Sequence, residues 1–336
     1  MSLDGFSMSA LAHELADALT GGRIDKINQP NKQSVILSVR QPGKNFLLYI
    51  NTNASNPSAH LIEAAPENPA EPPTFVMLLR KQLETGRIAA VRQERRDRIL
   101  HLDIDIIAGG GRIVTRTLTL ELIGKYSNII LHEGGTIIEA LRRIGENSSR
   151  VRTVFKGIPY TLPPAQDKYD LFAADIDDIA ARVRNAGEAK IFQALISAVL
   201  GFGPVSAKEV CFLAGLAPNI PVSQLDPPDF DALSAALTEV RTWMEQPTPS
   251  LRLDANGKVA AMAAFPLSRL PGTTILSYPT VSALTGASAA TSSPIASAFA
   301  VLCAPSSIVH GKSTTSSARR SPRQRMPKSR RSMPTI

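Results

Sequence analysis

Residues 98–107 read Arg98-Ile99-Leu100-His101-Leu102-Asp103-Ile104-Asp105-Ile106-Ile107, and they decide the fold class. Apolar Leu100, Leu102, Ile104 and Ile106 alternate with polar His101, Asp103 and Asp105. That is the period-two signature of a half-buried strand. Gly109-Gly110-Gly111 supplies a turn, and Ile113–Leu122 provides a second apolar run for an antiparallel partner. Ser127–His132 and Thr136–Leu141 flank Gly134-Gly135 and predict another hairpin.

Upstream, Arg23–Asn28, Ser34–Arg40 and Phe46–Ile50 also have strand character, with Pro42-Gly43 turning between the last two. Leu11, Leu15 and Leu19 fall four apart within Ser7–Thr20 and predict an amphipathic helix stopped by Gly21-Gly22. After a Pro-rich loop at 66–73, Thr74 is expected to cap a second helix, Phe75–Glu84, ending near Gly86. Runs of adjacent strands with few helices predict α+β rather than a doubly wound sheet.

From Asp175 to about Glu245 the apolar spacing changes to 3.6 and predicts a small helical domain. Residues 250–267 return to strand character around Asn256-Gly257. The domains are therefore expected at 1–172 (with 250–270 rejoining it), 173–245, and a tail from 277 to 336. Residues 270–311 contain no Asp, Glu, Lys or Arg, and 312–331 are basic and rich in Ser and Pro. A chain of that composition buries too little apolar surface to offset its conformational entropy, so disorder is expected. The abrupt change points to a shifted reading frame or a truncation, with a natural disordered tail as the alternative.

The net charge is +8, but its distribution matters more. Residues 255–336 hold ten of the 37 Lys/Arg and none of the 29 Asp/Glu, which leaves the first 254 residues at −2. A nucleic-acid site in the body must therefore be a local patch. Cys211 and Cys303 make no disulfide framework or metal spacing, and the start of the chain has no basic leader. The expected location is the cytoplasm, without a membrane span.

Several motifs stand in order. They are Ser2-Leu3-Asp4-Gly5; Gly21-Gly22-Arg23-Ile24-Asp25-Lys26-Ile27-Asn28-Gln29-Pro30; Leu78-Leu79-Arg80-Lys81-Gln82-Leu83-Glu84 leading to Gly86-Arg87-Ile88; Arg96-Asp97-Arg98-Ile99-Leu100; Glu121-Leu122-Ile123-Gly124-Lys125-Tyr126-Ser127-Asn128; and Gly157-Ile158-Pro159-Tyr160 before Pro163-Pro164. Over about residues 1–270 the chain resembles the NFACT family of ribosome-rescue factors, whose older label is fibronectin-binding protein. The resemblance implies an RNA-binding factor that engages a large ribosomal subunit holding a stranded nascent chain. It implies recruitment of charged transfer RNA for untemplated C-terminal alanine tailing. Peptidyl transfer would belong to the ribosome, so no enzyme activity, cofactor or small-molecule substrate is expected. The family continues into a coiled coil and a C-terminal RNA-binding module, and from these residues no counterpart of either is expected.

In that family an Asp-Arg step, matched by Asp97 and Arg98, and an acidic residue near the N-terminus, matched by Asp4, handle transfer RNA. A guanidinium forks onto phosphate or a base edge, and a neighbouring carboxylate orients it or accepts from a base amine. From the residues alone, an ion pair opening a strand explains Asp97 and Arg98 as well. Arg23, Lys26, Arg80, Lys81, Arg87, Arg92, Arg95 and Arg96 read equally as a phosphate-tracking groove or a solvated face. Leu200-Gly201-Phe202-Gly203-Pro204 before Ser206–Leu213 looks like a helix-hairpin-helix. Gly201 and Gly203 would free backbone N–H groups for a phosphate, although Glu209 and the scarcity of Lys/Arg suit a packing hairpin. His101, Asp103 and Asp105 share a strand face, read as solvated rather than metal-binding.

Two rival functions differ in class. The α+β domain with a helical hairpin resembles formamidopyrimidine-type DNA glycosylases. Those need an N-terminal proline nucleophile, and this chain begins Met1-Ser2-Leu3. The other rival is a fibronectin-binding surface protein.

Overall fold

The computed structural model describes residues 2–145 and 152–291. The 45 residues of the tail beyond Thr291, including Cys303 and most of the segment expected to lack order, lie outside them. The elements run in the order α1 (Gly5–Leu19), β1 (Arg23–Asn31), β2 (Ser34–Gln41), β3 (Lys44–Asn51), β4 (Ser58–Ile62), α2 (Thr74–Leu83), β5 (Arg87–Gln93), β6 (Ile99–Ile107), β7 (Ile113–Glu121), β8 (Asn128–Glu133) and β9 (Thr136–Ala140). Then follow α3 (Ile176–Arg184), α4 (Ile191–Ala198), α5 (Pro204–Leu213), α6 (Pro227–Thr242), β10 (Ser250–Leu253), β11 (Val259–Ala263), β12 (Thr274–Ser277) and α7 (Val281–Thr291).

The fold is α+β. A nine-stranded antiparallel sheet has the order β4-β3-β2-β1-β5-β6-β7-β8-β9. It is two meanders joined at β1 and β5, where a single residue pair, Arg23 opposite Arg87, is in register. The β6–β7 hairpin is paired without interruption from Ile99–Glu121 to Ile107–Ile113. Its turn uses Gly110 at φ 76° and Gly111 at φ 79°, where a Cβ is disfavoured. α1 lies on one face of the sheet and buries Leu11, Leu15 and Leu19, so the four-residue leucine spacing does mark its inner face.

Several local expectations differ from the structure. Thr74 is the first residue of α2 rather than its cap; Pro73 stands at the cap position with no side-chain bond. α2 ends through Thr85 at φ 69° instead of a glycine. Gly86 is not left-handed but crowded, since a Cβ would lie 2.2 Å from Ile106 Cδ1, 2.8 Å from Ile104 Cγ2 and 3.0 Å from the Leu83 carbonyl oxygen. β4 and β5 form where no strand was expected. His101 is buried at 3% exposure, not on a solvated face, because residues 152–160 cover that side of the sheet.

The expected hairpin at 250–267 forms as β10 and β11, but it pairs with β12 in a separate three-stranded sheet. Its side chains alternate between two cores. Leu251, Met262 and Ala264 join the core of the large sheet. Ala261, Ala263 and Phe265 join the helical core of α3–α6. The tail expected from 277 begins with an ordered helix. α7 buries Val281 and Leu284, and Glu14 on α1 accepts from Val281 N (2.7 Å) and Ser282 N (3.2 Å) at its start. Its small residues (Ser, Ala, Gly, Thr) make it read as low complexity, yet they let it pack closely on β4. Ser282 Oγ accepts from Leu61 N at 3.0 Å, occupying a donor on the edge strand.

Candidate nucleic-acid interface

Three segments far apart in sequence meet at one point: Asp4–Phe6 at the start of α1, Gln93–Arg98 at the β5–β6 turn, and Leu200–Gly203 between α4 and α5. Phe6 N donates to Gly201 O at 2.9 Å. A Cβ on Gly5 would lie 2.0 Å from Arg96 O, and one on Gly201 would lie 2.7 Å from the same oxygen. Glycine at 5 and 201 is therefore a requirement of this crossing. Phe6 stacks on Phe172 and meets Phe202 edge-on, which anchors the junction in the helical core.

The turn itself is unusual. Arg95 (φ 41°) and Arg96 (φ 58°) are both left-handed, a conformation that costs a non-glycine residue about 1 kcal/mol or more and persists only where the surroundings enforce it. Asp97 N donates to Glu94 O at 2.7 Å and closes the turn. Asp97 Oδ1 accepts from Arg98 N at 2.7 Å. The Arg98 guanidinium makes no hydrogen bond or ion pair among the described residues, and the side chain is half-buried. Asp97 lines a cleft of about 240 Å³ with Glu94, Ile99, Leu162, Pro164 and Gly201; Arg98 stands outside that lining. Lys168 is a further charged group here that sequence reasoning missed. Burial holds its ammonium below the usual lysine value, while the Asp97 carboxylate acts in the opposite direction.

Asp4 has another task in this structure. Its Oδ1 accepts from Ser7 N at 2.9 Å and caps α1. Its Oδ2 accepts from Gly203 N at 3.1 Å and Ser206 Oγ at 2.5 Å at the start of α5. One carboxylate thus satisfies the N-termini of two helices. The Gly203 N–H expected to face a phosphate donates to Asp4 instead. Glu209, read as an obstacle to an anion at this turn, points elsewhere. It is 1% exposed, accepts from Arg252 Nη1 at 2.7 Å and from Ser268 N at 2.7 Å, and ties α5 to β10.

The basic residues separate into two groups. Arg23, Lys26, Arg80, Lys81 and Arg87 lie around β1, α2 and the start of β5. Arg92, Arg95 and Arg96 lie at its far end, roughly 20 Å away along the strand. Most already have partners. Arg23 and Arg40 pair with Asp25 (2.8 and 2.9 Å), Arg80 donates to Ile27 O (2.8 Å), and Arg87 donates to Gly21 O. Arg92 pairs with Asp103 at 2.8 Å and Arg95 with Glu94 at 3.3 Å. Arg96 sits 3.7 Å from Asp170 and over the Phe172 ring. Lys26 and Lys81 are exposed, with no polar partner among the described residues.

A buried polar chain supports the cleft from behind. Glu94 Oε2 lies 3.3 Å from His101 Nε2, without bonding geometry. His101 Nδ1 and His132 Nε2 both contact Thr119 Oγ1, at 2.8 and 3.0 Å. The hydroxyl has one proton and two lone pairs, so at most one ring accepts from it and at least one donates to it. His132 stacks on Tyr160 at 4.7 Å, and Tyr160 donates to Glu121 Oε1 at 3.0 Å. Arg152 donates to the same oxygen at 2.7 Å. Burial holds His132 down to about 4. These contacts fix Tyr160 and so hold the following segment, Leu162–Gln166, as one wall of the cleft. Asp103 and Asp105 accept from Thr117 and Thr115, each at 2.7 Å. Among the described residues no three His, Cys, Asp or Glu side chains are grouped to hold a metal.

Residues 4–287 match the family model of the NFACT N-terminal and middle domains, which spans the three converging segments and extends into α7. The chain belongs to the NFACT family. The Rqc2 homolog RqcH of Bacillus subtilis is 37% identical over 243 residues, 72% of this chain. This NFACT chain spans 41% of the length of that relative. The crystal structure of the fibrinogen binding protein from Staphylococcus aureus superposes with a TM-score of 0.70 at 27% identity, covering 84% of this chain and 96% of that one. The N-terminal part of the fibronectin/fibrinogen-binding protein from Streptococcus suis gives 0.67 at 28% identity, with the same coverage. The NFACT fold thus accounts for both the large sheet and the helical unit.

Proposed function

We propose that this chain is the RNA-positioning part of a ribosome quality-control factor. It acts in the cytoplasm on a large ribosomal subunit holding a stranded nascent chain. There it recruits charged transfer RNA for C-terminal alanine tailing and performs no bond chemistry of its own. One observation carries the reading: the Arg98 guanidinium has no internal polar partner among the described residues, although it follows directly on the turn enforced at left-handed Arg95 and Arg96 and adjoins Asp97, which lines the cleft. Strain maintained around an unsatisfied guanidinium suits a group reserved for phosphate or a base edge. The relatives named as Rqc2 homologs support the same direction. Arg23, Lys26, Arg80, Lys81 and Arg87 form a second, weaker contact along the RNA backbone, because Arg23, Arg80 and Arg87 are already held by internal acceptors and only Lys26 and Lys81 are unengaged.

The test is transfer-RNA binding by the full chain as a function of salt. Arg98→Ala is expected to weaken binding at least tenfold and to lower the slope of log affinity against log salt by about 0.9. Asp97→Ala is expected to weaken binding without changing that slope, and both should abolish tailing. Unaltered binding by either variant refutes the reading. The descriptions of the two solved neighbours favour a second reading, binding to fibronectin or fibrinogen, and the same preparation applied to immobilised fibronectin separates the two.

A further inference from the structure

We infer that Gln93 is the residue that positions the Asp97–Arg98 pair, and this rests on the RNA-binding reading above. Gln93 is the last residue of β5, opposite Leu100 on β6, immediately before the left-handed turn. Its Nε2 donates to two carbonyls at once: Asp97 O at 2.8 Å and Gly5 O at 2.7 Å. Its Oε1 accepts from Ser9 Oγ at 2.7 Å, and Ser9 Oγ in turn accepts from Arg96 Nη1 at 3.3 Å. Both amide protons and the amide oxygen are therefore used. The side chain joins the first turn of α1 to the peptide unit that links Asp97 to Arg98.

The chemistry selects glutamine. Two carbonyl oxygens need two protons from one atom, and a third contact needs an acceptor on the same group. A primary amide provides this without charge. A glutamate of the same length would put a carboxylate against two carbonyls. The clamp also explains how consecutive left-handed arginines are held. Arg96 O is confined by Gly5 and Gly201, and Asp97 O, one residue later, is pinned by Gln93. Without the amide, the turn is closed from within by two backbone bonds, Asp97 N to Glu94 O and Glu94 N to Ile99 O, neither of which reaches the Asp97 carbonyl. Arg98 would then sample several directions, and binding would lose the benefit of a preset guanidinium.

The experiment compares Gln93→Leu and Gln93→Glu with wild type in the full chain, using unfractionated transfer RNA. Affinity is followed from about 50 to 200 mM salt, and amide exchange is followed at residues 94–98. Both variants are expected to bind on the order of tenfold more weakly. In Gln93→Leu the salt slope should stay at the wild-type value, because Gln93 neutralises no phosphate; Gln93→Glu adds a charge and is read by affinity and exchange alone. Exchange at 94–98 should accelerate while exchange in β6 and β7 does not. Gln93→Glu keeps the shape and the Ser9 contact, so it carries the test should the leucine variant not fold. Wild-type affinity in a folded Gln93 variant, with Arg98→Ala defective, overturns this inference and leaves the RNA reading standing. A Gln93→Leu effect that lowers the salt slope makes the residue an RNA contact and also overturns it. Unaltered binding in all three variants removes the RNA reading and this inference together.

Discussion

Replacing Asp4 by alanine tests the junction most directly. The carboxylate accepts three hydrogen bonds at two helix N-termini. Loss of the α1 cap costs about 1 kcal/mol. Removing an anion from the start of α5 costs a further ~0.5–1 kcal/mol. Ser206 is fully buried, and stranding its hydroxyl without an acceptor adds about 1 kcal/mol. The sum is roughly 3 kcal/mol, which for a chain of this size lowers the melting temperature by roughly 4–5 °C. Urea and thermal unfolding followed by circular dichroism measure it. Asp4→Asn should recover about half, since one of its two side-chain atoms is a donor and faces Gly203 N–H and Ser206 Oγ. Transfer-RNA binding measured well below the melting point separates the two roles of Asp4. Stability within about 0.5 kcal/mol of wild type, combined with lost binding, would refute the two-helix clamp and return Asp4 to the RNA surface.

Three further outcomes follow from other parts of the molecule. Burial between β3, β4 and α7 holds His60 at about 4, so the unfolded chain takes up its proton first. Stability is complete above the ordinary histidine value near 6.5 and falls by up to about 3 kcal/mol as pH drops to 4; His60→Leu should flatten urea midpoints measured across that window. Arg252→Met leaves the buried Glu209 carboxylate without its cation and should cost about 3–5 kcal/mol. Adding Glu209→Leu should restore more than 1 kcal/mol in a double-mutant cycle, and simple additivity would contradict the pairing. Thr85→Gly relieves the left-handed end of α2 and should stabilise by about 0.5–1 kcal/mol; destabilisation would show that the Thr85 side chain contributes more than its backbone costs.

What the chain reveals before folding depends on whether a feature is local. The β6–β7 hairpin is legible because alternation and a glycine turn act within neighbouring residues. β5 is not, because Arg87, Arg92 and Gln93 give it no apolar alternation, and it exists by pairing with β6. β4 and α7 escape for a related reason. Each is short or small-residued, and each is stabilised by the other. Asp97 and Arg98 stand out as an adjacent pair, and Gly201 and Gly203 as a turn. The role of Asp4 as a clamp is invisible, since its partners lie about two hundred residues away. Gln93 carries no periodicity and no charge; only its three tertiary contacts mark it. His101 was misplaced because the segment that covers it follows some fifty residues later.

The small sheet of β10, β11 and β12 has a consequence for how the molecule comes apart. Its consecutive residues face opposite ways, one set into the large sheet and the other among the helices. Neither half can melt without stripping cover from the other, so heat should produce one calorimetric peak rather than two. A polypeptide stopped before residue 250 would leave apolar surface bare on both halves, a state favouring aggregation over an intact smaller module.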